Sequence, residues 1–214
     1  MSDRRLLVFV AAFSALLCAA VALSLLAATN DTLRADRAIT DWLQDRPFPG
    51  KDLSDTIRAI TGTEVVLATG AALALMLWLR GYRRQAVLLA AGLGALALLQ
   101  PAIKELVDRP RPGADLVEIR AGGSTSPSFP SGHVMSGSVL YGFLTYLALA
   151  LPLPRLPALA VAGFSLAILV LSGPVNVWLG VHWPSDVLGA WLWSGALLIA
   201  VIALDRGHSP RFSP

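Results

Sequence analysis

The chain is 214 residues long, 55% hydrophobic and 14% charged, with a mean hydropathy of +0.64. That is too little charge for a water-soluble domain, where charged residues run near about 25%, and too much apolar content for a disordered chain. A scattered net charge of +3 excludes a nucleic-acid binder, and the single cysteine, Cys18, excludes a disulfide framework or a cysteine-based zinc site. The sequence is that of an integral membrane protein.

A helix needs about 20 apolar residues to cross the hydrocarbon core, and six segments approach that length. The first, 6–28, is uncharged and longer than the roughly 7–15 residues of a signal-peptide core, so it reads as an anchoring span. The loop 30–63 follows. In it Ala35, Ile39, Trp42 and Leu43 fall at helical spacing with Asp36, Arg37, Asp41 and Asp45 between them. This predicts a short helix, lying on the membrane surface or packed on the bundle, at the border of a lateral opening for a lipid. Span 65–79 is short and lengthens through 60–63, with Glu64 near the interface. Spans 85–103, 134–153, 156–181 and 187–204 complete the set, rich in the Gly and Ala that let helices pack closely in lipid. The expectation is an all-α, six-transmembrane-helix bundle formed by a single membrane domain over 1–214.

Loop charge orients it. With six spans, the side of the N-terminus holds Arg4, Arg5, Arg80, Arg83, Arg84, Arg155, Arg206 and Arg211 against only Asp3 and Asp205, while acidic residues outnumber basic ones on the other side. Both termini are therefore expected in the cytoplasm.

Three chemically loaded stretches then fall together on the outer side. They are Lys104 to Pro112 after the third span, Pro130-Ser131-Gly132-His133 at the start of the fourth, and Asn176 through His182 to Asp186 between the fifth and sixth. Ser131 reads as an N-cap, Gly132 allows close backbone approach, and the helix start they open is a ready anion site. Pro184 suits the first turn of the last helix, Asp186 sits in that turn, and His182 lies about a turn earlier, within reach of Asp186. Taken singly these features are ordinary caps and interfacial cations; gathered on one face they describe a site. His208, in the polar tail, reads as solvated.

These residues resemble the type 2 phosphatidic acid phosphatase family, which includes bacterial isoprenyl-diphosphate phosphatases and shares its site with vanadium haloperoxidases. Its first motif, Lys, six residues, Arg-Pro, matches Lys104 with Arg111-Pro112, and its second, Pro-Ser-Gly-His, is intact at Pro130–His133. Its third, Ser-Arg, five residues, His, three residues, Asp, keeps His182 and Asp186 but has Val175 and Asn176 in place of Ser-Arg. The stretch Ile60-Thr61-Gly62 also looks like the family.

The resemblance implies a mechanism. His182 would be the nucleophile, forming a phosphohistidine, with Asp186 holding its other ring nitrogen. His133 would protonate the leaving group and then activate water. Lys104, Arg111, Ser131, Gly132 and Asn176 would cradle the phosphoryl oxygens, with no metal or other cofactor. His182 must start neutral and His133 protonated, which implies a bell-shaped pH–rate curve. Because Asn176 brings no charge, Arg109 or Arg120 is expected to supply it from the loop.

The implied substrate is a membrane lipid phosphate in the bilayer. Undecaprenyl diphosphate is the first choice, followed by phosphatidylglycerol phosphate and phosphatidate. The location is the bacterial inner membrane, with the site on the periplasmic face. The alternatives are phosphotransfer to another lipid from the same site, and a weakened or non-catalytic lipid-binding or transport protein. A metal site built from His133, His182 and Asp186 is a further one. Against transport, the spans hold almost no ionisable residue at mid-depth.

Overall fold

The computed structural model describes residues 3–207 except 48 and 123. His208 and Arg211 lie outside the described residues. All regular structure among those described is α-helical: α1 (Asp3–Thr29), α2 (Asp36–Gln44), α3 (Lys51–Thr61), α4 (Thr63–Leu79), α5 (Arg83–Val107), α6 (Gly132–Ala150), α7 (Arg155–Trp178) and α8 (Pro184–Gly207). Five of these are long and apolar enough to cross a bilayer; α3 and α4 reach that length and apolarity only when taken together, as a pair bent by 54° at their junction. The protein is thus an all-helical, multi-pass membrane protein. Its apolar surface matches: Leu6, Leu25, Leu79, Leu98 and Leu156 all point outward, as lipid-facing side chains do.

The second span departs from its expected form. It is not a straight helix lengthened through 60–63 but two helices broken at Gly62, whose backbone turns extended (ψ 138). Apart from proline, glycine has the lowest helix propensity of any residue. The break is fastened by the Thr63 hydroxyl, 2.9 Å from that of Ser136 on α6 and 3.3 Å from the Gln100 amide on α5.

The short helix α2 also differs from a simple surface helix. It exposes Ile39 and Trp42, yet buries Asp36 and Thr40. A carboxylate leaves water only for strong partners, and those partners prove to be part of the site.

Helix α6 is the hub, packing on α3, α4, α5, α7 and α8, with Val134, Met135 and Leu140 completely buried. Its N-terminus therefore meets the C-terminal ends of α5 and α7 and the start of α8. Two local devices bring the ends together. Helix α5 stops at Asp108, which adopts a left-handed conformation (φ 45), and Pro110 and Pro112 keep the following chain from resuming a helix. Helix α7 stops at Trp178, short of the expected 181, because Gly180 turns left-handed (φ +70). A Cβ on Gly180 would come 2.2 Å from the Glu118 carbonyl oxygen, so only glycine lets the chain double back there and aim His182 inward.

Candidate active site

Helix α6 begins where its sequence says it should, but its cap is unusual. Ser131 holds the N-cap position, with its carbonyl accepting from Met135 N–H at 2.9 Å. Its hydroxyl, however, makes no capping bond; it is fully buried and has no partner among the described residues. Such a hydroxyl costs about 1–3 kcal/mol, a cost that a bound oxyanion removes. The first amides of the helix likewise have no partner within it, as at any helix start. Gly132 is required for this start to close on α5: a Cβ there would come 2.9 Å from the Gln100 amide nitrogen and 3.9 Å from Lys104 Cε.

Lys104, in the last turn of α5, is buried and donates to the Pro127 carbonyl. Arg111 is held flat by three oxygens. Its Nε donates to Ser126 O at 2.9 Å, Nη2 to Ser126 Oγ at 3.1 Å and Nη1 to Val181 O at 2.9 Å. Burial lowers its guanidinium from the ordinary value, and the charge of Asp186 opposes that. The same Nη1 lies 3.3 Å from His182 Nε2.

His182 is buried and polarised from one side. Its Nδ1 lies 3.5 Å from Asp186 Oδ2 and 3.4 Å from Ser128 Oγ. The i,i+4 spacing places the two side chains together as expected. With Nδ1 turned to the carboxylate, Nε2 is the ring nitrogen that faces Arg111. Burial pushes the imidazole down to about 4; Asp186 pulls it back up, while Arg111 and Lys104 add to the fall. The ring is therefore neutral at physiological pH.

Asp186 is fully enclosed. Oδ2 accepts from Trp183 N–H at 2.8 Å and from the Ser128 hydroxyl, and Oδ1 accepts from Arg109 Nη1 at 2.7 Å. Arg109 is itself fully buried and reaches on to Asp36 at 2.8 Å and Ser185 Oγ at 2.7 Å. Ser185 in turn donates N–H and O–H to Asp36 at 2.9 and 2.7 Å. This explains the burial of Asp36. Helix α2 is pinned under the start of α8 by a charge network that also fixes the His182 orienter.

His133, in the first turn of α6, is half-buried beside Gly62, where a Cβ would lie 3.9 Å from His133 Nε2. The positive charges of Arg58, Arg111 and Lys104 act on its ring. Lys104, Arg111, Ser131, Gly132, His133, His182 and Asp186 are thus brought together as the sequence suggests. Asn176 is there too, but its partner is unforeseen: Arg58 of α3 donates to Asn176 Oδ1 at 2.6 Å.

The expected substitutes for the missing arginine are not substitutes. Arg109 is locked between Asp36 and Asp186, behind the orienter. Arg120 donates to Gln44 O at 3.0 Å and to Glu118 at 2.6 Å, and stacks on Trp178 at 4.2 Å. Sequence reasoning also missed Ser128, Ser185 and Asp36. The one available signal for Asp36 was that an aspartate opens α2 just where a polar stripe was expected.

This arrangement can be compared with known proteins. The PAP2 superfamily model matches residues 85–208, which hold every one of these groups except Asp36, Gln44, Arg58 and Gly62. The chain is 36% identical over 116 residues to phosphatidylglycerophosphatase B of Bacillus subtilis (strain 168), a match covering 53% of this chain and 54% of that one. It therefore spans about half the length of that curated relative. In three dimensions it resembles the crystal structure of the first transmembrane PAP2 type phosphatidylglycerolphosphate phosphatase from Bacillus subtilis. The TM-score is 0.77 at 25% identity, over 94% of this chain and 99% of the other. With more than half of its length matched by the family model and its fold shared nearly end to end, this multi-pass membrane protein belongs to the PAP2 superfamily.

Proposed function

We propose that the protein is a metal-independent lipid phosphate phosphatase working through a phosphohistidine. The observation that carries this reading is the polarity of His182, with Nδ1 turned to Asp186 and Nε2 facing Arg111. In the first step Nε2 bonds to phosphorus, the bond from phosphorus to the lipid oxygen breaks, and His133 gives its proton to that oxygen. In the second, a water oxygen bonds to phosphorus while His133 takes its proton, the bond from phosphorus to His182 Nε2 breaks, and inorganic phosphate leaves with His182 regenerated. A phosphoryl transition state spreads negative charge over its equatorial oxygens. Lys104, Arg111, the Ser131 hydroxyl and the α6 amides converge where that charge develops. A metal reading fits less well, because both Asp186 oxygens are already taken by Arg109, Ser128 and the Trp183 amide.

The relatives' names make phosphatidylglycerophosphate the first substrate to try, ahead of undecaprenyl diphosphate and phosphatidate. The loop-charge bias supports a site on the outer, periplasmic face of a bacterial inner membrane. It also supports cytoplasmic termini, and the run of apolar spans without a polar domain between them is read as a single membrane domain over 1–214. The test is phosphate release by the purified chain from these three lipids, with chelator present. Release from at least one, unaffected by chelator, is expected; none from any, or loss on chelation, overturns the reading.

The nucleophile also sets a pH limb. Since His182 acts neutral, kcat/KM is expected to hold below neutrality and fall only as pH drops through about 4. An ascending limb centred near the ordinary imidazole value of about 6.5 would contradict this account of His182.

A further inference from the structure

Arg58 has no role in the network described above. It stands on α3, outside the matched stretch 85–208, half-buried, with its guanidinium on Asn176 near the C-terminal end of α7. Among the described residues no carboxylate lies within ion-pair distance of it. The carboxylate whose charge reaches it, Asp55, is already held by Lys51 at 2.8 Å. Its charge is felt instead at His133 and Arg111. Its guanidinium bond to Asn176 is tightly arranged. Asn176 is fully buried and commits its nitrogen to Ser172 O at 2.8 Å, so its oxygen must face α3 and receive Arg58. A cation placed among other cations, with a neutral amide as its partner, is unfavourable unless an anion joins them.

We propose that Arg58 is a phosphate-binding residue of this site, delivered from α3 into the space where the third motif would place its arginine, with Asn176 as its positioning residue. The assignment rests on the phosphatase reading for its substrate. It explains why a neutral residue at 176 leaves the site's charge intact: the guanidinium has moved to another helix, and the amide that replaced it became its clamp. A bidentate guanidinium suits phosphoryl oxygens better than a point charge.

The test uses the full chain as wild type, Arg58→Ala, Arg58→Lys, Asn176→Arg and the double variant Arg58→Ala/Asn176→Arg. Phosphate release and orthovanadate affinity, the latter read from thermal shift, are measured on each. Arg58→Ala is expected to lose about 10–100-fold in kcat/KM and about tenfold in vanadate affinity, with Arg58→Lys between it and wild type. Asn176→Arg alone is expected to be impaired by crowding two guanidinium groups. The double variant is expected to recover at least half of the logarithmic loss in both readouts, which a merely structural role for Arg58 would not produce. Wild-type values for Arg58→Ala, or a double variant no better than Arg58→Ala, overturn the assignment. Vanadate binding that follows this pattern in a chain without turnover would sink the phosphatase reading and leave Arg58 standing. Normal turnover that ignores Arg58 would do the reverse.

Discussion

Replacing His182 with Gln is expected to lower phosphate release by about ten-thousandfold or more, the scale seen when the nucleophile of a cooperating set is removed. The change is close to isosteric, and the site around it is built by other bonds. Asp186 keeps Arg109, Ser128 and the Trp183 amide, and Arg111 keeps Ser126 and Val181. Vanadate or product binding should therefore survive while turnover does not. Phosphate release, measured under single-turnover conditions with a lipid substrate, checks this. Activity within tenfold of wild type would remove His182 from the nucleophile's role.

The second large effect is expected at Arg109. Its side chain is fully buried between Asp36 and Asp186. Arg109→Met would leave two buried carboxylates without their shared cation, and breaking a buried pair in this way costs about 3–5 kcal/mol. The fold should lose that stability in denaturant titrations in detergent, and α2 should loosen from α8. Activity should fall as well, because Asp186 loses the bond at Oδ1 that fixes its plane toward His182. Replacing Asp36 by Asn in the same chain is expected to return part of the stability by removing one of the stranded charges. A midpoint unchanged in Arg109→Met would show that the network contributes little.

Much of this architecture was legible before any coordinates. Long uncharged runs dictate spans, and the Pro130–His133 and His182–Asp186 spacings place their residues at one end of the bundle, where the fold also puts them. What stayed hidden depends on contacts distant in sequence. The bend at Gly62 reads in sequence as one glycine in an apolar run. Asp36 looked like part of a polar stripe because nothing local reveals that Arg109, 73 positions on, needs it. Arg109 reads in the sequence as a loop cation free to supply the charge missing at Asn176, because nothing local shows that two buried carboxylates hold it. Arg58 could not be seen as part of the site at all, since its link to Asn176 spans 118 positions. Local chemistry marks the motif residues; only packing reveals which cations face the site and which are bound behind it.

The stereochemistry at phosphorus tests the central claim most directly. A lipid phosphate made chiral at phosphorus with sulfur and oxygen isotopes can be hydrolysed by the purified protein and the configuration of the released thiophosphate determined. Transfer first to His182 Nε2 and then to water inverts the centre twice, so net retention is the expected result. Net inversion would mean that water attacks the lipid phosphate in one step, and that His182 never carries the phosphoryl group.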